Sequence, residues 1–255
     1  EDQHILMVNK PSKVVTQPGV GHDRDALLNG LFVSWGKSLQ NLGKKRDYGL
    51  LHRLDRGTSG VVVIGLSIAG YEGMRALFRE RGLRKNYCAI VHGVTPSEGR
   101  CDARIDERRV RGKKRAVVLP RKASHRKGSA RAPGQEALTL YKTLARGALS
   151  QASTMDERAS LIRCQIHTGR LHQIRAHMSA LGHPVIGDFD YGALTPLNRS
   201  FRVRSRGRLA LHALSLSFIH PLTHAHMNIS APIPDHFIQL CDALGIEPDR
   251  HDLEI

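Results

Sequence analysis

The stretch His52-Arg53-Leu54-Asp55-Arg56-Gly57-Thr58-Ser59-Gly60 runs straight into the β-branched segment Val61–Leu66. The second segment predicts a buried strand. The first then places charged residues, a small polar pair and glycines at the mouth of a sheet, where functional sites are commonly built. Asp55 lies between Arg53 and Arg56, and two nearby cations favour an ionised carboxylate. Spacing alone slightly favours a surface loop laced by ion pairs.

Working outward, His4–Asn9 reads as an apolar strand closed by Lys10-Pro11-Ser12, and Val14–Thr16 as a short second strand. Asp23 is placed to cap a helix over Ala26–Trp35, with Gly36–Asp47 as a loop. Ser67 caps a helix carrying Met74, Leu77 and Phe78 and ending near Gly82. Tyr87–Val91 is apolar on both faces, as a central strand is, and the basic run Arg84-Lys85 leads into it. Ala137–Leu144 reads as a strand and Gly147–Arg158 as a loop. Leu161–His167 alternates, with Ile162, Cys164 and Ile166 on one face. Thr168 or Gly169 opens a helix over Leu171–Leu181, ended by Gly182, with Arg175 at the border of its apolar stripe and able to reach a buried acid. Leu209–Ile219 is strand-like and is followed by a Pro-containing tail. Strands and helices mix without strict βαβ alternation, which predicts an α+β fold.

The chain has 255 residues, 39 Lys+Arg against 23 Asp+Glu, and a net charge of +16. Length and hydrophobic content suit one large domain. No apolar run approaches the roughly 20 residues of a membrane helix. The charge is concentrated: Arg100–Arg131 holds 13 basic and 3 acidic residues. This Gly99–Gly134 segment is either a flexible insertion or a long basic hairpin. It calls for a polyanion, RNA before an acidic lipid surface, since no amphipathic basic helix is evident. The four cysteines form no CxxC pair, so neither a disulfide framework nor a zinc site is expected, and a reducing compartment is. His172 and His177 diverge on a helix, and His224 and His226 lack a third ligand. HExxH, GxGxxG, Walker and GxSxG patterns are absent. No metal and no cofactor are expected.

Taken together, HRLDRGTSG, RKNYCAIVHG, TGRLHQIRAHM followed by GHPVIGDFDYG, and LHALSLSFIHP occur in the order found in RluA-type RNA pseudouridine synthases, and the opening HILMVNKPSKVVTQP resembles that family's first strands. The resemblance covers about residues 2 to 235. It implies a mixed, mostly antiparallel central sheet with flanking helices and an RNA-binding cleft, and an isomerase that needs neither metal nor cofactor. It implies Asp55 as the essential carboxylate, Arg175 as its cationic partner, Tyr87 as the ring stacked on the base, and Arg53 as the residue that helps extrude the uridine. Arg56, Thr58, Arg170, His172 and Gln173 are expected to line the substrate. Arg100, Arg109, Arg111, Lys113 and Lys114 are expected to meet phosphates. Extrusion costs a few kcal/mol, which such contacts offset. Gly57 departs from the family, which usually carries an acidic residue there.

The expected partner is RNA, ribosomal before transfer RNA, with a ribosomal precursor and assembly proteins as further partners of an otherwise monomeric protein. One domain is expected, with the basic insertion at about 99–134 and no S4-like RNA-binding domain ahead of it. A non-catalytic RNA-binding assembly factor on the same fold is the second reading. The chain opens without Met, so a removed leader is expected, and the mitochondrial matrix stands beside the cytoplasm as its compartment.

Overall fold

A computed structural model describes residues 1–110, 112–119, 134–149, 157–192 and 208–249. In chain order its elements are β1 (Ile5–Lys10), α1 (Leu27–Leu42), a 3-10 turn over Lys44–Gly49, β2 (Ser59–Gly65), α2 (Ile68–Glu80), β3 (Arg84–His92), β4 (Glu98–Asp102), β5 (Ile105–Val110), β6 (Lys113–Val118), β7 (Leu138–Ala148), β8 (Arg158–Ile166), α3 (Gln173–Ala180), β9 (Leu211–Ile219), β10 (His226–Ser230) and α4 (Asp235–Ala243). The fold is α+β with mixed, mostly antiparallel strands. The described residues divide into two compact units, one of Glu1–Lys85 with Leu211–Pro234, the other drawn from Asn86–Ala210 with the segment from Asp235 onward.

In the first unit the strand order is β1-β2-β9-β10. β1 pairs antiparallel with β2, from Ile5 opposite Gly65 to Lys10 opposite Gly60. β2 pairs parallel with β9, and β9 antiparallel with β10. Every residue of β2 is buried, as the run Val61–Ile64 predicts. Ile5, Val61, Val63, Met74, Leu216 and Phe218 form the core. Ser67 does cap α2, its Oγ accepting from Gly70 N–H at 3.0 Å. The helix ends at Glu80, two residues before Gly82, with Arg81 in the left-handed conformation as its cap.

Three expectations are corrected here. α1 does not stop at Trp35: the backbone kinks there and the helix runs to Leu42 because Leu39 and Leu42 are buried. Its first turn is held by Asn29, whose Oδ1 accepts from Ala26 N–H at 3.1 Å, and not by Asp23. Val14–Thr16 is no strand; the Val15 and Thr16 carbonyls accept from Leu27 and Leu28 at the start of α1. The Pro-containing tail also carries structure, β10 and then α4, which buries Phe237, Leu240 and Cys241.

In the second unit the order is β3-β8-β7-β4. β8 and β7 pair antiparallel, with a register shift between Thr143 and Ala145, and β7 pairs antiparallel with β4. Cys88–Val91 of β3 are wholly buried, as a central strand requires. The described part of the basic segment resolves into a hairpin, β5 against β6. α3 is shorter than the periodicity suggests. It starts at Gln173, after His172 in the left-handed conformation (φ 49°), and Leu181 lies 38 % exposed, outside the core. All four cysteines are free thiols and buried. Among the described residues no helix is long and apolar enough to cross a membrane.

Candidate active site

In the first unit Arg53, Asp55, Arg56 and Thr58 share the loop that leads into β2. Five hydrogen bonds from the segment after β1 grip that loop. Ser12 Oγ donates to the Gly57 carbonyl (2.8 Å) and Lys13 N–H to the Arg56 carbonyl (2.7 Å). Arg56 Nε answers to the Lys13 carbonyl at 3.1 Å. Thr16 Oγ1 donates to the Leu54 carbonyl and accepts from Leu54 N–H. Thr58 N–H closes the turn on the Asp55 carbonyl at 3.0 Å. Leu54 and Thr58 are buried, Asp55 is half-buried, and Arg53 and Arg56 are exposed. A loop tied at both ends and anchored by two buried side chains holds its carboxylate in a fixed place.

Two groups flank this loop, half-buried His52 and buried Lys10, and nothing in the sequence patterns says what either does. His52 Nε2 accepts from Val63 N–H at 3.0 Å, so the ring is neutral, and it packs 5.2 Å from the Phe78 ring. Burial, helped by the nearby Lys85 charge, pushes its pKa from 6.5 down to about 4. Lys10 is 0 % exposed. Its ammonium donates to the Pro11 carbonyl (2.9 Å) and the Val14 carbonyl (2.7 Å). Burial pushes its pKa down to about 8, against the opposing pull of the Asp55 charge.

In the second unit Tyr87 stands half-buried on β3. Arg170, His172, Gln173 and Arg175 lie on α3 and the turn before it. Gln173 is buried and ties this turn together. Its Oε1 accepts from Thr168 Oγ1 (2.7 Å) and Arg170 N–H (3.1 Å), and its Nε2 donates to the Leu138 carbonyl and Thr139 Oγ1. Those bonds, not a Thr168 or Gly169 cap, decide where α3 begins. Arg170 Nε donates to the Glu136 carbonyl at 3.0 Å.

Arg175, 8 % exposed, does reach a buried acid within its own unit. Its guanidinium makes a two-pronged bond to Asp188, 2.7 and 3.0 Å, and a third to Asp190 at 3.2 Å. Tyr191 lies beneath it, ring centroid 5.0 Å away. The fork fixes the guanidinium plane. Asp188 is held in turn by the Asp190 and Tyr191 amides, and the 185–186 segment before it hydrogen-bonds to Ile90 of β3 and pairs with Val91 there. Asp188 and Asp190 are the residues that sequence reasoning passed over; the GDFDYG repeat of acids was the signal.

Asp190 also binds Arg115 of β6, at 2.8 Å through its Oδ1 and 2.8 Å through its carbonyl. Burial pushes its carboxyl upward, but the Arg175 and Arg115 guanidinium groups outweigh that and hold it below the ordinary carboxylate range. Tyr191 OH accepts from Ala116 N–H (2.7 Å) and meets His172 Nδ1 (2.8 Å). The basic hairpin is thus fastened to the base of α3.

On the hairpin Arg109 faces Lys114 and Val110 faces Lys113 across the strands, and all three cations are exposed. Like charges directly opposite repel. Asp106 pairs with Arg108 and Asp190 with Arg115, yet among the described residues no carboxylate pairs with Arg109, Lys113 or Lys114. Arg100 is exposed on β4, 3.7 Å from Asp102. Arg111 lies outside the described residues. Among the described residues no three His, Cys, Asp or Glu side chains converge as metal ligands.

The family model described as RNA pseudouridylate synthase matches residues 4–180. The ribosomal large subunit pseudouridine synthase D of Zymomonas mobilis is 32 % identical over 235 residues, 92 % of this chain and 68 % of its own length. Its namesake in Pseudomonas aeruginosa is 33 % identical over 250 residues, 96 % of this chain and 70 % of its own. Among solved structures, human RNA pseudouridylate synthase domain containing 4 superposes with a TM-score of 0.65 at 25 % identity, over 98 % of this chain and 93 % of that one. Human RNA pseudouridylate synthase domain containing 1 superposes at 0.69 with 23 % identity, over 99 % and 90 %, a likeness of fold.

Proposed function

Since the chain belongs to the RNA pseudouridylate synthase family, we propose that it converts uridine to pseudouridine in ribosomal RNA, with Asp55 as the reacting carboxylate. The observation that carries this reading is the gripped loop, which presents one carboxylate at the base of β2 on a frame that does not yield. The isomerisation breaks the N1–C1′ bond, turns the base and joins C5 to C1′. The C5 proton leaves and N1 gains one, so product and substrate have the same atoms. Asp55 acts on the ribose, either by attack at C1′ as the base leaves or by taking the C2′ proton as the base leaves toward a glycal, the ester being broken or the proton returned when C5 joins C1′. Tyr87 stacks on the base, and Arg175, fixed by Asp188, supplies the cation.

The C1′ face is reached only when the base leaves its stack, which costs a few kcal/mol. Arg53, exposed at the head of the loop, fills the vacated place. Arg109, Lys113 and Lys114 supply phosphate contacts that offset the cost, because their repulsion is relieved by an anion. A ribosomal target is supported by the bacterial relatives, which are ribosomal large subunit pseudouridine synthases.

The test is tritium release from ribosomal RNA labelled at uridine C5. Wild type is expected to release tritium. Asp55→Asn is expected to fall by more than about 10³-fold while binding the RNA as before. A wild type that binds the RNA and releases nothing would replace this reading with that of a non-catalytic assembly factor.

A further inference from the structure

We propose that Phe189 is a stacking platform for an unpaired nucleobase that neighbours the target uridine. This rests on the reading of the chain as an enzyme acting on RNA and deepens it, since it names the state of the substrate beside the reacting nucleotide. Among the described residues Phe189 is the one Phe, Tyr or Trp that is exposed, at 40 %. A single exposed apolar side chain is ordinary on a protein surface. The placement of this one is not. The residues on either side of it, Asp188 and Asp190, are the two that hold Arg175.

The turn that carries the ring is fixed. Asp188 N–H donates to the Val185 carbonyl (3.1 Å) and Gly192 N–H to the Asp188 carbonyl (2.8 Å). Asp188 Oδ1 accepts from the Asp190 and Tyr191 amides at 3.0 and 3.1 Å, and Ser179 Oγ donates to the Tyr191 carbonyl at 2.7 Å. A ring on such a frame loses little freedom when a base stacks on it. Its place follows from register. His92 N–H donates to the Pro184 carbonyl and Ile186 N–H to the Ile90 carbonyl, an antiparallel pairing. The chain therefore runs along β3 in the direction of Tyr87 as it enters the turn. One ring, Tyr87, is assigned to the target base, and the turn that starts beside the same strand offers a second.

The charges around the ring admit RNA. Both flanking carboxylates are neutralised, Asp188 by the Arg175 fork and Asp190 by Arg175 at 3.2 Å and Arg115 at 2.8 Å. Arg115 belongs to β6 and fastens the basic hairpin to this turn. The same hairpin carries Arg109, Lys113 and Lys114, which draw phosphates. Cations that track a backbone beside an aromatic ring on which bases stack are the two features that single-stranded nucleic-acid binding combines. The ring has nothing to offer a duplex, whose bases already stack on one another. An acidic protein segment would engage the cations and leave the ring idle.

The test compares a single-stranded oligouridylate with an abasic strand of equal length, which carries the same phosphates without bases. Phe189→Ala is expected to weaken binding of the oligouridylate by about 5- to 150-fold, the factor that stacking one base on an aromatic ring is worth. Its affinity for the abasic strand and its salt slope are expected to match wild type, since no phosphate contact is lost. A Phe189→Ala with wild-type affinity for the oligouridylate, or with an equal loss on both strands, overturns the proposal. A second variant reads the contact directly. Trp35 is the only tryptophan of the chain, so Phe189→Trp in a Trp35→Phe background places the sole indole at the site. Its fluorescence is expected to be quenched by the oligouridylate and not by the abasic strand. Absent quenching, or equal quenching by both, overturns the proposal. Quenching by the oligouridylate alone, in a protein that releases no tritium from any RNA it binds, means that the proposed activity fails and the stacking platform stands.

Discussion

His52 opens the motif that carries Asp55, yet its imidazole is a structural acceptor for the Val63 amide. In the unfolded chain it takes a proton near pH 6.5; in the folded protein it resists until about 4. Below pH 6.5 the unfolded state therefore binds more protons, and stability falls as pH drops from 6.5 to 4. The contribution is full above that window and amounts to about 2–3 kcal/mol lost by pH 4.5. Urea unfolding at pH 7 and pH 4.5 checks this: wild type is expected to lose that amount and His52→Gln markedly less of it. At this scale the sequence marked Asp55, Tyr87 and Arg175 through their motifs, and it was readable in that Arg175 does meet a buried acid. It was unreadable where burial gave a residue its meaning. Nothing in the letters of Asn9-Lys10-Pro11 says that the lysine points inward, and Asp188 became Arg175's partner only through folding of a loop that no periodicity describes.

Among the elements, β2 owes its entry to one glycine. Gly60 has φ +113°, and a Cβ there would lie 2.1 Å from the Ala213 carbonyl oxygen, on the residue with which it pairs in β9. Gly60→Ala is expected to destabilise the protein by at least about 3 kcal/mol, combining strain and overlap, measured by urea melts against wild type. β2, α2, β3 and β8 were legible because their apolar residues follow one period and their ends carry chemical signals such as Ser67. α1 was cut short because Gly36 and the polar run after it outweighed Leu39 and Leu42, two buried leucines spaced too sparsely to be seen. The start of α3 was misplaced because its lead-in turn is held by the Gln173 side chain from inside the helix, a device without a sequence pattern of its own.

For the whole molecule, charge decides how RNA is met. The net charge of +16 implies binding that weakens as salt rises, with about 0.9 of a unit of slope for each phosphate neutralised. Arg109→Ala with Lys114→Ala is expected to lower the slope of log K against log salt by about 2, read by RNA-binding titrations at several salt concentrations; an unchanged slope would remove the hairpin from the interface. Composition made this basic segment visible, but left open whether it was a loop or a hairpin; the pairing of Ile105 with Val118 decides that for its described part. The division of the chain into units bears on synthesis. The sheet of the first unit takes two strands from the start of the chain and two from after residue 210. β9, its second-to-last strand, is made roughly 150 residues after the strand it pairs with, and such sequence-distant pairings form slowly. On the ribosome β1 and β2 therefore wait as an unfinished pair, with the apolar run Val61–Ile64 on an open edge, while the contiguous body of the second unit emerges. The segment that carries Asp55 is translated early and acquires its frame late, so a nascent chain cut short before β9 carries the motif without the sheet that supports it.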